Sequence, residues 1–216
     1  LYLTNFSCST APVVSINGEV SSNHDVTQAK AGDTITVAST AATTPVDIRS
    51  GSGSDVITVK AAASALRLFG EGDNDTFNLG NDVGTLGDAL GTMNQLNALV
   101  TIDGGTGSGD RVNADDGGDT AGNTGTLTDA LLSGLSSGNI AYSNVESLLI
   151  WLGGAPGTGA GVNNTFNIQS TAAATPVTVT DRGGNATINV GSTASVVNDI
   201  RSLLTLAADG GTDTLN

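Results

Sequence analysis

Apolar residues recur two apart in short runs: Ile57 and Val59, Phe77 and Leu79, Phe166 and Ile168, Ile188 and Val190. In an extended strand a period of two puts such residues on one face and their neighbours on the other. The neighbours are Thr and Asn, so the runs share one signature, polar-Thr-apolar-Asn-apolar. It appears as Asp75-Thr-Phe-Asn-Leu79, Asn164-Thr-Phe-Asn-Ile168, Ala186-Thr-Ile-Asn-Val190 and, cut short, Asp213-Thr-Leu-Asn216. Asp55-Val-Ile-Thr-Val59 and Asp110-Arg-Val-Asn-Ala114 are weaker copies. A longer unit of strand, glycine turn and strand aligns residues 44–59 with residues 175–190 without gaps.

Successive copies lie 20, 35, 54, 22 and 27 residues apart. The short spacings fit one coil of a stacked parallel structure, and the long ones fit coils with insertions. Residues 140–152, with their own alternating apolar set, read as another coil inside the 54-residue gap. The pattern therefore predicts an all-β, right-handed parallel β-solenoid of roughly eight or nine coils. With strands stacked about 4.8 Å apart, the rod would be roughly 40 Å long. Residues 1–43 form N-terminal strands leading into it and residues 44–216 form the repeat coils, in a single domain. Two leucine-containing stretches, 83–99 and 127–135, break the alternation and are expected to be short helices, lids on the outside, or insertion loops.

Composition agrees. Gly 30 among 216 residues and only 3% aromatic residues disfavour a helical protein and a bulky core. The chain carries 21 acidic and 7 basic residues, a net charge of −14, which argues against nucleic acid as a partner. Of the acids, 18 are Asp and 3 are Glu, a bias towards turns and hard-oxygen ligands rather than helices. Cys8 is the single cysteine, so no intrachain disulfide forms. No run of 18 apolar residues is present, so no membrane insertion by a helix is expected. The four Asn-x-Ser/Thr sequons, at Asn5, Asn74, Asn163 and Asn185, arise readily in a chain rich in Asn and Thr.

The turns gather Gly and Asp: Gly51-Ser-Gly-Ser-Asp55, Gly70-Glu-Gly-Asp-Asn-Asp75, Asp103-Gly-Gly-Thr-Gly-Ser-Gly-Asp110 and Asp209-Gly-Gly-Thr-Asp213. These segments resemble degenerate copies of the haemolysin-type (RTX) calcium nonapeptide, and the longer unit is similar to repeat modules of very large secreted bacterial surface proteins. The resemblance implies Ca²⁺ as cofactor, with Asp55, Asp73, Asp75, Asp103, Asp110, Asp209 and Asp213 as ligands, and a secreted or cell-surface location. Glycine permits left-handed turns and exposes carbonyls, while Asp supplies carboxylate oxygen, and calcium takes six to eight such oxygens. The copies here are isolated rather than continuous, and Ala186 stands where a ligand Asp would be. Turns built only from corner-forming residues are the competing reading. A second acidic cluster at Asp115, Asp116 and Asp119 either completes a site or serves solubility.

Residues 28–37 resemble the start of many right-handed β-helix proteins, polysaccharide lyases among them, so a polysaccharide-binding or polysaccharide-cleaving β-helix is the alternative function. Lyase chemistry needs Lys or Arg beside acidic calcium ligands, yet Lys30, Arg49, Lys60, Arg67, Arg111, Arg182 and Arg201 are dispersed. His24, the sole imidazole, sits in a polar stretch that reads as a loop. Asp73 and Asp75 form a carboxylate pair of the kind glycosidases use, but in a glycine corner. No catalytic residue is assigned. Thr34, Thr36, Thr178 and Thr180 fit a Thr-x-Thr ice-binding ladder, but the intervening outward residues interrupt it.

Alternation in residues 147–152 turns Leu148, Ile150 and Leu152 inward and leaves Leu149 and Trp151 side by side outside, as a partner contact or beneath one of the insertions. The chain stops in mid-signature at residue 216, which predicts an open end that pairs with copies of itself or with neighbouring repeats. The reading is a non-catalytic extracellular structural or adhesive module that assembles end to end. Cell-surface polysaccharide is a further candidate partner.

Overall fold

The computed structural model describes residues 13–17, 24–27, 32–82, 91–154, 162–192, 194, 196–208 and 210–216. Among them the protein is all-β, with no helix. Nine strands precede residue 116: β1 (Val13–Asn17), β2 (His24–Thr27), β3 (Thr34–Ser39), β4 (Val46–Arg49), β5 (Val56–Val59), β6 (Leu66–Phe69), β7 (Thr76–Leu79), β8 (Val100–Asp103) and β9 (Arg111–Asp115). Nine follow: β10 (Thr124–Leu127), β11 (Leu131–Ser133), β12 (Ile140–Ser143), β13 (Ser147–Leu152), β14 (Asn163–Ile168), β15 (Val177–Asp181), β16 (Asn185–Val190), β17 (Leu204–Ala208) and β18 (Thr214–Leu215). His24 heads β2 opposite Val46, so it belongs to a strand and not to a loop.

The strands form two sheets. The first has eight in the order β1-β3-β5-β7-β9-β13-β15-β17, and the second has ten in the order β18-β16-β14-β10-β11-β12-β8-β6-β4-β2. From β1 to β10 and again from β13 to β18 the chain alternates between them, and every pairing among these strands is parallel. Two mostly parallel sheets built this way are consistent with a β-solenoid.

The period of two explains the interior. Ile35, Ile57, Phe77, Val112, Leu148 and Val177 stand in register across the first sheet, and Ile48, Leu68, Ile102 and Tyr142 across the second. All are buried and join one core cluster running between the sheets. Stacking like on like buries each apolar column without interruption, and every strand gains its backbone partners from its neighbours.

Neither insertion is a helix where it is described. Within 91–99, Met93 and Leu96 are fully buried in the core, and Leu96 bridges Ala62, so this stretch lies inside the stack. Residues 83–90 lie outside the described residues. Residues 127–135 supply the end of β10 and all of β11, which pairs antiparallel with both β10 and β12. Leu127, Leu131, Leu132 and Leu135 have helical spacing, but Gly134 at φ 81° ends the segment after three strand residues.

The β10–β11–β12 meander also shifts the phase of the repeat. The unit 44–59 starts with β4 in the second sheet and ends with β5 in the first, whereas its counterpart 175–190 starts with β15 in the first and ends with β16 in the second. The correspondence extends without gaps to residues 33–59 and 164–190. Corner chemistry repeats with it. Thr40 Oγ1 accepts the N–H groups of Ala63 and Ser64 at 2.9 and 3.0 Å, and Thr171 Oγ1 accepts those of Arg201 and Ser202 at 2.8 and 3.1 Å. Phe77 and Phe166, both fully buried, hold the same place in the five-residue signature but belong to opposite sheets.

Candidate functional site: a buried carboxylate ladder

One corner of the stack, where the chain passes from the second sheet into the first, carries an acid at five successive levels. Asp33, Asp55, Asp75, Asp110 and Glu146 stand immediately before β3, β5, β7, β9 and β13. The backbone N–H of Asp33 donates to Asp55 Oδ1 at 2.6 Å, that of Asp55 to Asp75 Oδ1 at 2.8 Å, that of Asp75 to Asp110 Oδ1 at 2.7 Å, and that of Asp110 to Glu146 Oε2 at 2.9 Å. Their carbonyls are used as well. The oxygens of Asp33, Asp55 and Asp75 accept from Val56, Thr76 and Arg111, each at 2.8 Å. Every level is therefore tied to the next through a side chain and the main chain together.

In Asp55, Asp75 and Asp110 the ladder uses one oxygen of the carboxylate, Oδ1. Oδ2 of Asp55, Asp75 and Asp110 is buried with no hydrogen-bond partner, and these residues are 1%, 0% and 0% exposed. Burial pushes the Asp55 carboxyl up to about 6 and that of Asp75 up to about 7, overcoming the backbone hydrogen bonds that favour the ionised forms. Neighbouring acids add to the rise. Asp33 and Asp110 are also raised, chiefly by desolvation.

Glycines set the shape of this corner. A β-carbon at Gly70 would collide with Asp75 Oδ2 and lie 2.5 Å from the Gly104 carbonyl oxygen. One at Gly107 would collide with the Asp73 carbonyl oxygen and lie 2.5 Å from Asp110 Oδ2. Beside each of these two glycines a partnerless carboxylate oxygen and a main-chain oxygen converge. Gly104 is under similar pressure, since a side chain there would strike the Asn144 carbonyl oxygen and Asp110 Cβ. Gly104→Ala is expected to cost about 3 kcal/mol, the upper range for overpacking, read from the denaturant midpoint; an unchanged midpoint would mean that the corner relaxes freely.

Two side chains adopt backbone angles that suit glycine. Glu71 and Asp73 both have φ of 69°, in the positions held one level earlier by Gly51 and Gly53 at 98° and 114°. Asp73 Oδ2 accepts the Gly53 N–H at 3.0 Å, and Glu71 pairs with Arg49 at 3.1 Å. Left-handed backbone at non-glycine residues carries strain, and here it holds acidic groups on the rim of the ladder.

The acids expected as ligands thus divide. Asp55, Asp75 and Asp110 share the ladder and Asp73 flanks it. Asp103 lies on the adjoining turn, accepting from the Gly105 N–H at 3.2 Å and Asn144 Nδ2 at 2.8 Å. Asp213 sits at the opposite corner, where its Oδ1 accepts the Ala186 N–H at 2.8 Å. Asp209 lies outside the described residues. Asp33 and Glu146 escape a search for glycine-aspartate turns, because the signal that finds them is an acid directly before an alternating strand. Among the described residues no group of three or more His, Cys, Asp or Glu side chains is gathered as a metal centre, so any cation at the ladder draws on main-chain oxygens too.

A second acidic corner is organised differently. Asp116 is fully buried, takes the Met93 N–H on Oδ1 at 2.9 Å, and shares Asn123 Nδ2 with Asp119 at 2.9 and 3.0 Å. Its pKa is pushed up to about 7 by burial. On the outward side of the second sheet, Arg67 forms a fork with Asp47, and Arg49 stacks on Phe69 at 4.1 Å. These bases are engaged in cross-strand pairs, and Arg49 reaches the rim of the ladder through Glu71. Leu148, Ile150 and Leu152 face the core as their alternation requires, while Leu149 and Trp151 are half-buried on the outer side, between Asn113 and Asp115 on one strand and Thr178 and Thr180 on the other.

No protein-family model matches the chain, and no curated protein or solved structure shows significant similarity to it.

Proposed function

We propose that the chain is a right-handed parallel β-solenoid of about eight coils that acts outside the cell as a non-catalytic structural or adhesive module, assisted by calcium and joined end to end with its own copies. The observation that carries this reading is the carboxylate ladder. It spends a column of buried acids on holding successive levels together. Eight strands in the first sheet support a count of about eight coils, parallel crossovers are right-handed in about 98% of cases, and one core cluster supports one domain.

Calcium suits the donors that converge at the ladder, which are hard oxygen: Oδ2 of Asp75 beside the Gly104 carbonyl at one level and Oδ2 of Asp110 beside the Asp73 carbonyl at the next. When bound, the ion supplies the positive charge that lets these carboxyls ionise inside the protein. The seven sequence-derived ligands reduce to Asp55, Asp75 and Asp110, with Asp73 beside them.

Two open edges support end-to-end joining, with copies of the chain or with neighbouring repeats. β17 and β18 close the first and second sheets at one end, and β1 and β2 close them at the other. Because the chain alternates between sheets, β1 and β2 of another copy follow β18 in the correct order and direction. Leu203 and Leu215 are 69% and 65% exposed at this end, and Leu215 lines an open cavity of about 150 Å³ with Ile188, Leu206 and Ala208. Sedimentation and negative-stain microscopy should show concentration-dependent rods that Leu203→Asp with Leu215→Asp abolishes without lowering the melting temperature. Monomers at millimolar concentration with and without calcium would overturn the joining.

A further inference from the structure

The outward face of β10, β14, β16 and β18 is built of two residue types. Its strand residues are Thr124 and Thr126, then Asn163, Thr165 and Asn167, then Asn185, Thr187 and Asn189, then Thr214. All are Thr or Asn. In a chain of net charge −14, these four strands hold no charged residue. The same sheet carries Asp47–Arg67 and Arg49–Glu71 pairs further along.

The residues are ordered in two dimensions. Thr124, Thr165, Thr187 and Thr214 stand in register across the four strands, and Thr126, Asn167 and Asn189 form a second column two residues along. The second column continues to Asn216, whose Nδ2 donates to Asn189 Oδ1 at 2.8 Å, as Asn189 Nδ2 does to Asn167 Oδ1 at 2.8 Å. This amide ladder fixes the Asn side chains and leaves each an N–H towards solvent. Threonine is stiff at χ1, so its hydroxyls and methyls repeat with the backbone. The repeats are about 4.8 Å between strands and about 6.7 Å along them.

We propose that this face binds ice. A rigid, neutral array of hydroxyls and amides at these two spacings lies close to the oxygen repeats of a prism face of hexagonal ice, so first-layer water held on it is already near lattice positions. Charged groups would impose their own hydration and spoil that match, and the face has none. It also has no outward aromatic ring for stacking on a sugar, which sets it apart from a polysaccharide site. The Thr-x-Thr pairs at 34–36 and 178–180 lie instead on the first sheet, where Arg111 and Leu149 interrupt the outward columns. The inference goes beyond the structural reading and requires neither calcium nor joined copies.

The test is uptake of the dilute full chain into slowly grown polycrystalline ice, with recrystallisation inhibition as a second readout. The protein should be enriched in the ice fraction at least about tenfold over an unrelated protein of equal charge. Thr187→Tyr, central and outward, should abolish enrichment with melting unchanged, whereas Thr36→Tyr on the first sheet should leave it intact. Thr124→Tyr, at the exposed margin, gives the same reading should Thr187→Tyr fail to fold. Exclusion of the wild-type chain from ice, equal uptake by the folded Thr187 or Thr124 variant, or binding to crystalline cellulose but not to ice would overturn the proposal.

Discussion

In a chelator, the chain is expected to melt at a higher temperature at pH 5 than at pH 8, by on the order of 10 °C. Asp55 and Asp75 have folded values of about 6 and about 7 against 3.8 for the free group. A raised carboxyl binds its proton more tightly in the folded state than in the unfolded one. Its stabilising contribution is complete below pH 3.8 and is lost as pH climbs through 6 and 7. At about 1.4 kcal/mol per unit the two carboxyls together are worth several kcal/mol, and for a chain of this size each kcal/mol moves the midpoint by about 2–4 °C. Asp33, Asp110 and Asp116 shift in the same direction and add to the effect.

Millimolar calcium should recover most of this loss at pH 8 and do little at pH 5, where the ligands are protonated. Asp75→Asn separates the two contributions. The amide oxygen can still accept the Asp55 N–H, but the buried charge is gone, so the variant should melt higher than wild type at pH 8 in chelator while losing most of the calcium response. Calorimetry at the two pH values reads all four conditions. Equal midpoints in chelator would show that water reaches the ladder, and no calcium shift at pH 8 would remove the metal.

Phe77→Ala is expected to cost about 3–5 kcal/mol, the range for truncating a buried aromatic residue. Phe77 is fully buried and stands in register between Ile57 and Val112. Its loss leaves a void that parallel strands, pinned on both sides by main-chain bonds, cannot close. Phe166→Ala should cost a similar amount, because that copy of the signature buries its ring to the same degree. The control is Arg67→Ala at the exposed pair with Asp47, which should change stability by less than about 1 kcal/mol. Guanidinium unfolding followed by circular dichroism reads all three. A Phe77→Ala cost below that of Arg67→Ala would mean that the interior is loosely packed.

Strand content and the inward residues were legible because a period of two is visible in sequence and survives burial unchanged. Phe77, Leu79, Phe166 and Ile168 all face the core as the alternation requires. The sheet to which each strand belongs was not legible. Residues 44–59 and 175–190 match position by position yet start in opposite sheets, since nothing within the unit records how many strands precede it. The meander was masked by leucines at helical spacing, and its antiparallel pairing is a tertiary contact. The ladder was half legible. Asp55, Asp75 and Asp110 follow glycine turns and were found, whereas Asp33 and Glu146 have only their place before a strand to mark them.

The meander has a geometric outcome. Between β8 and β14 the second sheet spans three intervening strands, β12, β11 and β10, while between β9 and β15 the first sheet spans only β13. One side of the stack is longer by two strand spacings, or about 10 Å, across sheets that lie about 10 Å apart. A difference of that size between the two sheets would give the stack a taper, like the stone of an arch. Copies added head to tail would turn by the same increment at every joint, so their filament would trace a ring or a coil of fixed radius, with curvature set by sixteen or so residues far from either interface.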